Sequence, residues 1–470
     1  MLEVDPMKFA ACCLLALMLV CCHAACLGET FMYECDAWLV FGLREEASES
    51  ARRIRGVEEK DKLLVLEYGD DWCLVDFDGS IGYARTQWLC RFRSLDPYLY
   101  EVPGLDRQSG YAVAMADFTV STGEYEGSMV HAGDVLAVRG QDDGQATLSV
   151  ARADMTLDDV LLDYTPFPPF EDAVEGDVVY AFTTYYNDHF AARLNEERQR
   201  NIELACSRID GMTLECGERF SFNEVCGPYT KANGYLRAPN ISAEGYGVGG
   251  GVCQVSTTLY NCLLGVPLQV DEWRVHRDRG VSYAPQHFDS SVGDYSDLAF
   301  INTMPYQIVL GAKAQQGVLT VLVRAGEGAM TREEAGYAQT DGDETTWMTV
   351  CDLATGTAEL LDAPGGSCVR ELPCGVRVTL MNEMEGWYRV EAGSHQGYVQ
   401  MQSLYSPKEP ENVIALVNVR VRALPDLDAE SLTWVKKTDK LQLLRAGETW
   451  SYVRANGQTG FVPTQYISMN

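Results

Sequence analysis

A chain of 470 residues accommodates roughly three to five domains of ordinary size. Its 46% hydrophobic and 22% charged residues are globular usage, which excludes a disordered, collagenous or multi-spanning membrane chain. With 68 acidic against 37 basic side chains the formal net charge is −31. Such a chain repels nucleic-acid phosphates and adheres poorly to anionic lipid or wall polymers, so any envelope ligand has to be held by shaped sites.

At the start, Lys8 precedes an apolar run from Phe9 to Cys22, followed by Ala24, Ala25 and Cys26. This pattern reads as a signal peptide over residues 1–25. The run is shorter than the roughly 20 residues that cross a bilayer, and no later stretch is longer, so no membrane span is expected. The expected location is extracellular, at the cell surface or wall. Cleavage before Cys26 is similar to bacterial lipoprotein processing and would leave that cysteine for a lipid anchor, although His23 stands where that pattern has an aliphatic residue. Five of the 16 cysteines fall in this leader. Eleven remain, an odd number, so at least one thiol stays free or pairs between chains. Cys368 and Cys374 lack a second pair with zinc-site spacing, and neither a metal nor a cofactor is expected.

Three segments share one template: Trp72-Cys-Leu-Val75 with Gly82-Tyr-Ala and Leu89, Trp387-Tyr-Arg-Val390 with Gly397-Tyr-Val and Leu404, and Trp450-Ser-Tyr-Val453 with Gly460-Phe-Val and Ile467. Each has the same Trp-to-Gly and Gly-to-aliphatic spacing, and each follows an alternating run (Lys62-Leu-Leu-Val-Leu, Val376-Arg-Val-Thr-Leu, Lys440-Leu-Gln-Leu-Leu) of the kind that forms half-buried antiparallel strands. The template resembles bacterial SH3-like (SH3b) modules, which implies small β-barrels over residues 28–97, 347–406 and 411–470. The resemblance also implies cell-wall attachment through exposed aromatics, here Tyr83, Tyr398 and Phe461. The alternative is that these rings only fill the barrel cores. Residues 98–170 read as a degenerate β module and a candidate fourth SH3-like copy, because Gly133-Asp-Val-Leu-Ala-Val-Arg echoes the strand before Trp72 while the Trp is missing. The Pro-rich Thr165-Pro-Phe-Pro-Pro-Phe170 and the polar segment 326–346 read as linkers around a central unit.

That unit, residues 176–325, opens with a strand, Val178-Val-Tyr-Ala-Phe, and a helix with Ile202, Cys206 and Ile209 on its apolar face. It continues with Arg219-Phe-Ser-Phe-Asn-Glu, Gly227-Pro-Tyr-Thr, Asn233-Gly-Tyr and Val248-Gly-Gly-Gly-Val-Cys-Gln-Val-Ser-Thr-Thr-Leu-Tyr-Asn261. Val281-Ser-Tyr-Ala-Pro, Phe288-Asp-Ser-Ser-Val and Asp297-Leu-Ala-Phe-Ile-Asn302 follow. These ordered blocks closely resemble the VanW family, which implies a bacterial surface protein and names no reaction. The expected fold class is multi-domain α+β, with small SH3-like β-barrels flanking a central α/β VanW-like domain.

From Val252 the apolar residues Val255, Leu259 and Leu263 recur at helical spacing and set Cys253, Ser256, Thr257 and Tyr260 on an adjoining face. Gly249, Gly250 and Gly251 precede this helix, where positive φ, close ligand approach and free N–H groups favour an anion or a thiolate. Cys253 in the first turn is therefore the candidate nucleophile, Gln254 a candidate oxyanion donor, and Ser256 and Thr257 candidate ligand contacts. A base is needed. Among His276, His287 and His189, His276 ranks first, oriented by Asp289. The opposing reading is a structural cysteine, paired with Cys226 or Cys262.

The preferred function from sequence is binding of peptidoglycan or another wall polymer through the SH3-like modules. The alternatives are a cysteine-dependent acyl-transfer or amidase-type enzyme acting on peptidoglycan stem peptides through Cys253, and a non-enzymatic envelope scaffold.

Overall fold

The computed structural model describes residues 33–69, 71–94, 107–186, 192–240, 245–276, 281–285, 288–315, 317–331, 334–335, 347–406 and 411–468. The leader, Cys26, His189, His287 and most of 332–346 lie outside the described residues. No described helix is long and apolar enough to cross a membrane. The chain divides into two compact units, residues 1–107 and 108–470, and is mostly β, with three α-helices among the described residues.

In the first unit, alternation of buried and exposed positions along Lys62–Glu67 and Trp72–Phe77 turns one face inward. Leu63, Val65, Cys73 and Val75 meet Cys35, Leu43, Val57 and Ala84 in one core. Seven strands pair in the order Arg53–Val57, Phe41–Arg44, Ser80–Arg85, Trp72–Phe77, Lys62–Glu67, Tyr33–Ala37, Leu89–Ser94. The sheets at 347–405 and 411–468 in the second unit have this same order, third-second-sixth-fifth-fourth-first-seventh. In none of them do the outermost strands pair with each other, so the hydrogen bonding does not close into the expected barrel.

Residues 110–166 follow the same order in broken form. The pairings are Met129–Val130 with Phe118–Thr119; Ala153–Asp158 with Gln145–Val150 and Gly140–Asp142; and Val135–Val138 with Gly110–Ala114 and Leu162–Pro166. The fourth strand is interrupted at Arg139. In all four segments a single 3-10 turn precedes the last strand: Thr86–Trp88, Asp159–Leu161, Met401–Ser403 and Thr464–Tyr466.

The central region comprises β1 (Val178–Tyr185), α1 (Ala192–Ile209), β2 (Thr213–Leu214), β3 (Arg219–Ser221), α2 (Phe222–Cys226), β4 (Arg237–Pro239), β5 (Tyr246–Val248), α3 (Val252–Leu263), β6 (Gln269–Glu272), β7 (Ala299–Ile301), β8 (Ile308–Gln315) and β9 (Val318–Ala325). Its main sheet, β1-β9-β8-β2, is antiparallel, flanked by the smaller β3-β7-β6 and β4-β5 sheets. Helix α1 lies against β8, and α3 against β1 and β9. The strands of 110–166 also meet β1, so every residue of β1 is buried and polar–apolar alternation is lost. Tyr185, Val281, Tyr283 and Ala284 share a core with Leu136, Leu148 and Leu162. The Pro-rich segment is packed as well, with Phe167 between Tyr111 and Tyr180. Residues at the start of the expected linker are also fixed: Met330 bridges Val174, and the Gly326 N–H donates to Gln307 O.

Candidate functional site

The site is built on the entry to α3. Gly249 and Gly251 adopt φ of +83° and +106°, and Gly251 caps the helix. Gly250 differs from the expectation. It is absent from the positive-φ positions, and what requires glycine there is contact: a Cβ would lie 2.4 Å from Pro239 O and 2.5 Å from Ala238 O. Asn201 of α1, 1% exposed, donates from Nδ2 to both Gly250 O and Leu236 O at 2.9 Å and accepts from Leu236 N–H. It thereby holds the glycine turn against β4.

Of the twelve residues of α3, Cys253 alone escapes burial. Its thiol donates to Val292 O at 3.6 Å. The N–H groups of Val252 and Gln254 are taken up by Gly249 O and Gly251 O, while that of Cys253, one of the orphan donors of a helix start, has no partner among the described residues.

The histidine side of the site is fixed from α3 itself. Ser256 Oγ donates to Ser290 O at 2.8 Å, and Thr257 Oγ1 accepts from Ser290 N–H at 2.9 Å and donates to Ser290 O at 3.3 Å. Asn261 Nδ2 donates to Phe288 O. Trp273 stacks on Tyr260 at 4.8 Å and donates from its indole N–H to Asp289 O. These bonds place Asp289, 1% exposed, so that Oδ2 accepts from the backbone N–H and from the ring Nδ1 of His276, each at 2.7 Å. Burial alone would lower the imidazole, but the Asp289 hydrogen bond, then contact with the Cys253 side chain, outweigh it and push His276 up to about 9. With Nδ1 held by Asp289, Nε2 is the nitrogen left to serve the thiol.

Cys253 and His276 open on a cavity of about 960 Å³. Residues 248–254, 274–276 and 291–296 line it, with Arg198, Tyr229 and Tyr283 on the walls. The structure thus brings Cys253, His276 and Asp289 together with Gly249, Gly250 and Gly251.

Other expectations drawn from the sequence are corrected. Gln254 is 1% exposed, and its amide donates to Thr184 Oγ1 and Tyr185 O while its Oε1 accepts from Arg198, so it has no donor left for an oxyanion. Ser256 and Thr257 are fully buried and hold residue 290 instead of a ligand. Phe461 is 1% exposed and packs with Cys351 and Tyr452 between the two C-terminal sheets, so it cannot line an open groove. Tyr83 and Tyr398 are half-buried on equivalent strands. Cys226 and Cys262 are free thiols directed at Ala205 O and Tyr180 O, so neither pairs with Cys253. Arg198, Asn201, Trp273 and Ser290 went unread in the sequence. An Asn among the apolar positions of α1 was the one available signal.

Residues 197–324 match the family described as VanW like protein, and residues 417–468 the one described as Bacterial SH3 domain. The uncharacterized protein YoaR of Bacillus subtilis (strain 168) is 36% identical over 143 residues, which cover 30% of this chain and 45% of YoaR. The chain therefore matches less than half the length of that curated relative. The solved structures of NlpC2 and NlpC1 from Trichomonas vaginalis, each 11% identical, overlap 27% of this chain and 48% and 46% of their own. Their TM-scores of 0.15 are too low to establish a shared fold. The chain carries a VanW-family domain over residues 197–324 and a bacterial SH3 domain over residues 417–468.

Proposed function

We propose that the protein is a cysteine-dependent acyl-transfer or amidase-type enzyme that acts on stem peptides of the bacterial cell wall, with its SH3-like segments holding it there. The observation that carries this reading is the convergence on one cavity of a thiol at a helix start and a histidine whose far nitrogen is held by a buried carboxylate. In this reading the Cys253 sulfur attacks an amide carbonyl and the carbonyl oxygen takes negative charge beside the Cys253 N–H. The C–N bond then breaks as the His276 imidazolium gives its proton to the departing amine. The thioester left on Cys253 passes its acyl group to water or to a second amine, with His276 taking that nucleophile's proton. Asp289 orients the ring and stabilises its charge. The test is incubation with purified muropeptides, followed by mass analysis of products and protein. Turnover with a thioester adduct on Cys253 supports the reading, whereas unchanged turnover in Cys253→Ser refutes it.

Wall binding is the complementary reading for the C-terminal module. It draws support from Trp434, 56% exposed on an edge strand with the Arg420 guanidinium 4.6 Å above its ring. A flat amphipathic platform of this kind suits sugar or peptide stacking.

A further inference from the structure

Arg198 stands on α1 with its side chain in the wall of the Cys253 cavity. Its Nη2 donates to Gln254 Oε1 at 2.7 Å, and no carboxylate pairs with it among the described residues. Burial disfavours its charge, and the polar groups around it are the phenols of Tyr283, Tyr125 and Tyr186 and the Cys253 thiol, none of them a carboxylate. A guanidinium has five N–H donors and cannot shed its charge, so a half-buried one facing a neutral amide keeps both donors and charge to spare. The same cavity is lined by Arg274 and by His276, and Asp294 is the one acidic residue among the described residues that line it. In a chain of net charge −31 this is a local reversal of sign.

We infer that the acyl donor carries a carboxylate close to the reacting carbonyl and that Arg198 receives it. The inference rests on the proposed cysteine chemistry and adds the substrate's charge. Geometry favours Arg198 over Arg274 as the receptor, because Arg274 is exposed and its charge is screened by solvent. A carboxylate on Arg198 would hold its own acyl or amide carbon beside the Cys253 sulfur. The Gln254 contact would keep the guanidinium aimed while the site is empty.

Two small alkylating probes test this on the full chain. Iodoacetate carries the carboxylate and iodoacetamide the neutral amide, and both mark the same sulfur. The exposed Cys216 and Cys368 serve as internal references. The iodoacetate-to-iodoacetamide rate ratio at Cys253 should exceed the reference ratio by about tenfold or more, should collapse to it in Arg198→Gln, and should persist in part in Arg198→Lys. A reference-like ratio in the wild type, or one unmoved by Arg198→Gln, overturns the inference while brisk iodoacetamide labelling leaves the nucleophile intact. Silence of Cys253 toward both reagents removes the nucleophile and the inference with it, a visibly different result. Should Arg198→Gln fail to fold, sulfate competition in the wild type decides: sulfate has to slow iodoacetate more than iodoacetamide, and equal slowing overturns the proposal.

Discussion

A single oxygen of Asp289, Oδ2, accepts both the backbone N–H and the ring Nδ1 of His276, each at 2.7 Å. The pair fixes the position and the orientation of the imidazole together, and it explains why His276 is pushed up to about 9 despite its burial. A folded-state value above the usual ~6.5 means that the native state holds the proton more tightly. The resulting stabilisation, on the order of 3 kcal/mol, is fully present below about pH 6.5 and is lost as pH rises through about 9. Melting followed by calorimetry between pH 6 and pH 10 should show a decline that Asp289→Asn largely removes. The same variant should move the alkaline limb of any turnover profile toward neutrality. Identical pH dependence in both proteins would show that the carboxylate does not set the histidine.

Reactivity should separate Cys253 from the other thiols. Burial pushes Cys226 up to about 12, Cys262 further still and Cys206 well above its usual value, so these sulfurs stay protonated and enclosed. Iodoacetamide at neutral pH is expected to modify Cys253 while sparing those three, as read by peptide mass spectrometry. Cys253→Ser should abolish turnover and leave the melting temperature within a few degrees of the wild type. Loss of stability without any chemistry to lose would mark the cysteine as structural.

The glycine turn gives a third expectation. A methyl group at Gly250 runs into two backbone carbonyls of β4, which cannot rotate away as a side chain can. Gly250→Ala should therefore displace the start of α3 and cost about 1–3 kcal/mol as well as activity. At Gly217, which unlike Gly250 is at positive φ and has open space around it, the same substitution should cost only the backbone strain. Denaturant titrations of the two variants compare the effects directly. Equal losses would mean that contact with β4 is irrelevant.

What the sequence made legible follows from how locally each feature is specified. The strands around Trp72, Trp387 and Trp450 were readable because alternation and spacing are local. The template glycine was readable only through its fixed spacing from the Trp; its cause lies across the sheet, where a Cβ at Gly82, Gly397 or Gly460 would strike the carbonyl of Arg44, Leu361 or Arg422, respectively. Cys253 and His276 were readable through residue type and motif. The roles of Gln254, Ser256 and Thr257 were misread because α3 is enclosed everywhere except at Cys253. Their polar atoms therefore had to be satisfied within the protein, which no helical periodicity reveals. Asn201 and Arg198 act on residues about 50 positions away, a pairing that only the packing of α1 beside α3 creates.

The last expectation separates two aromatics of the C-terminal module that sequence position alone does not rank. Phe461 lies 5.0 Å from Tyr452 in a cluster with Cys351, and this cluster joins the 347–405 and 411–468 sheets. Arg445 strengthens the same junction by donating to Cys351 O and Gln402 O. Truncating Phe461 to Ala removes a fully buried ring and should cost about 3–5 kcal/mol, seen as a lowered melting temperature. Trp434 stands on the edge strand Ser431–Val435, backed by Arg420 and open to solvent. Trp434→Ala should change stability by less than about 1 kcal/mol, because little buried surface is lost. If the module holds the protein to the wall through that face, Trp434→Ala should sharply reduce co-sedimentation with isolated Gram-positive cell walls, whereas Phe461→Ala, assayed well below its melting point, should not. Retention unaffected by Trp434→Ala would take wall binding away from this face and leave Tyr83 and Tyr398, half-buried on the strands of the other two sheets that correspond to that of Phe461, as the next aromatics to test.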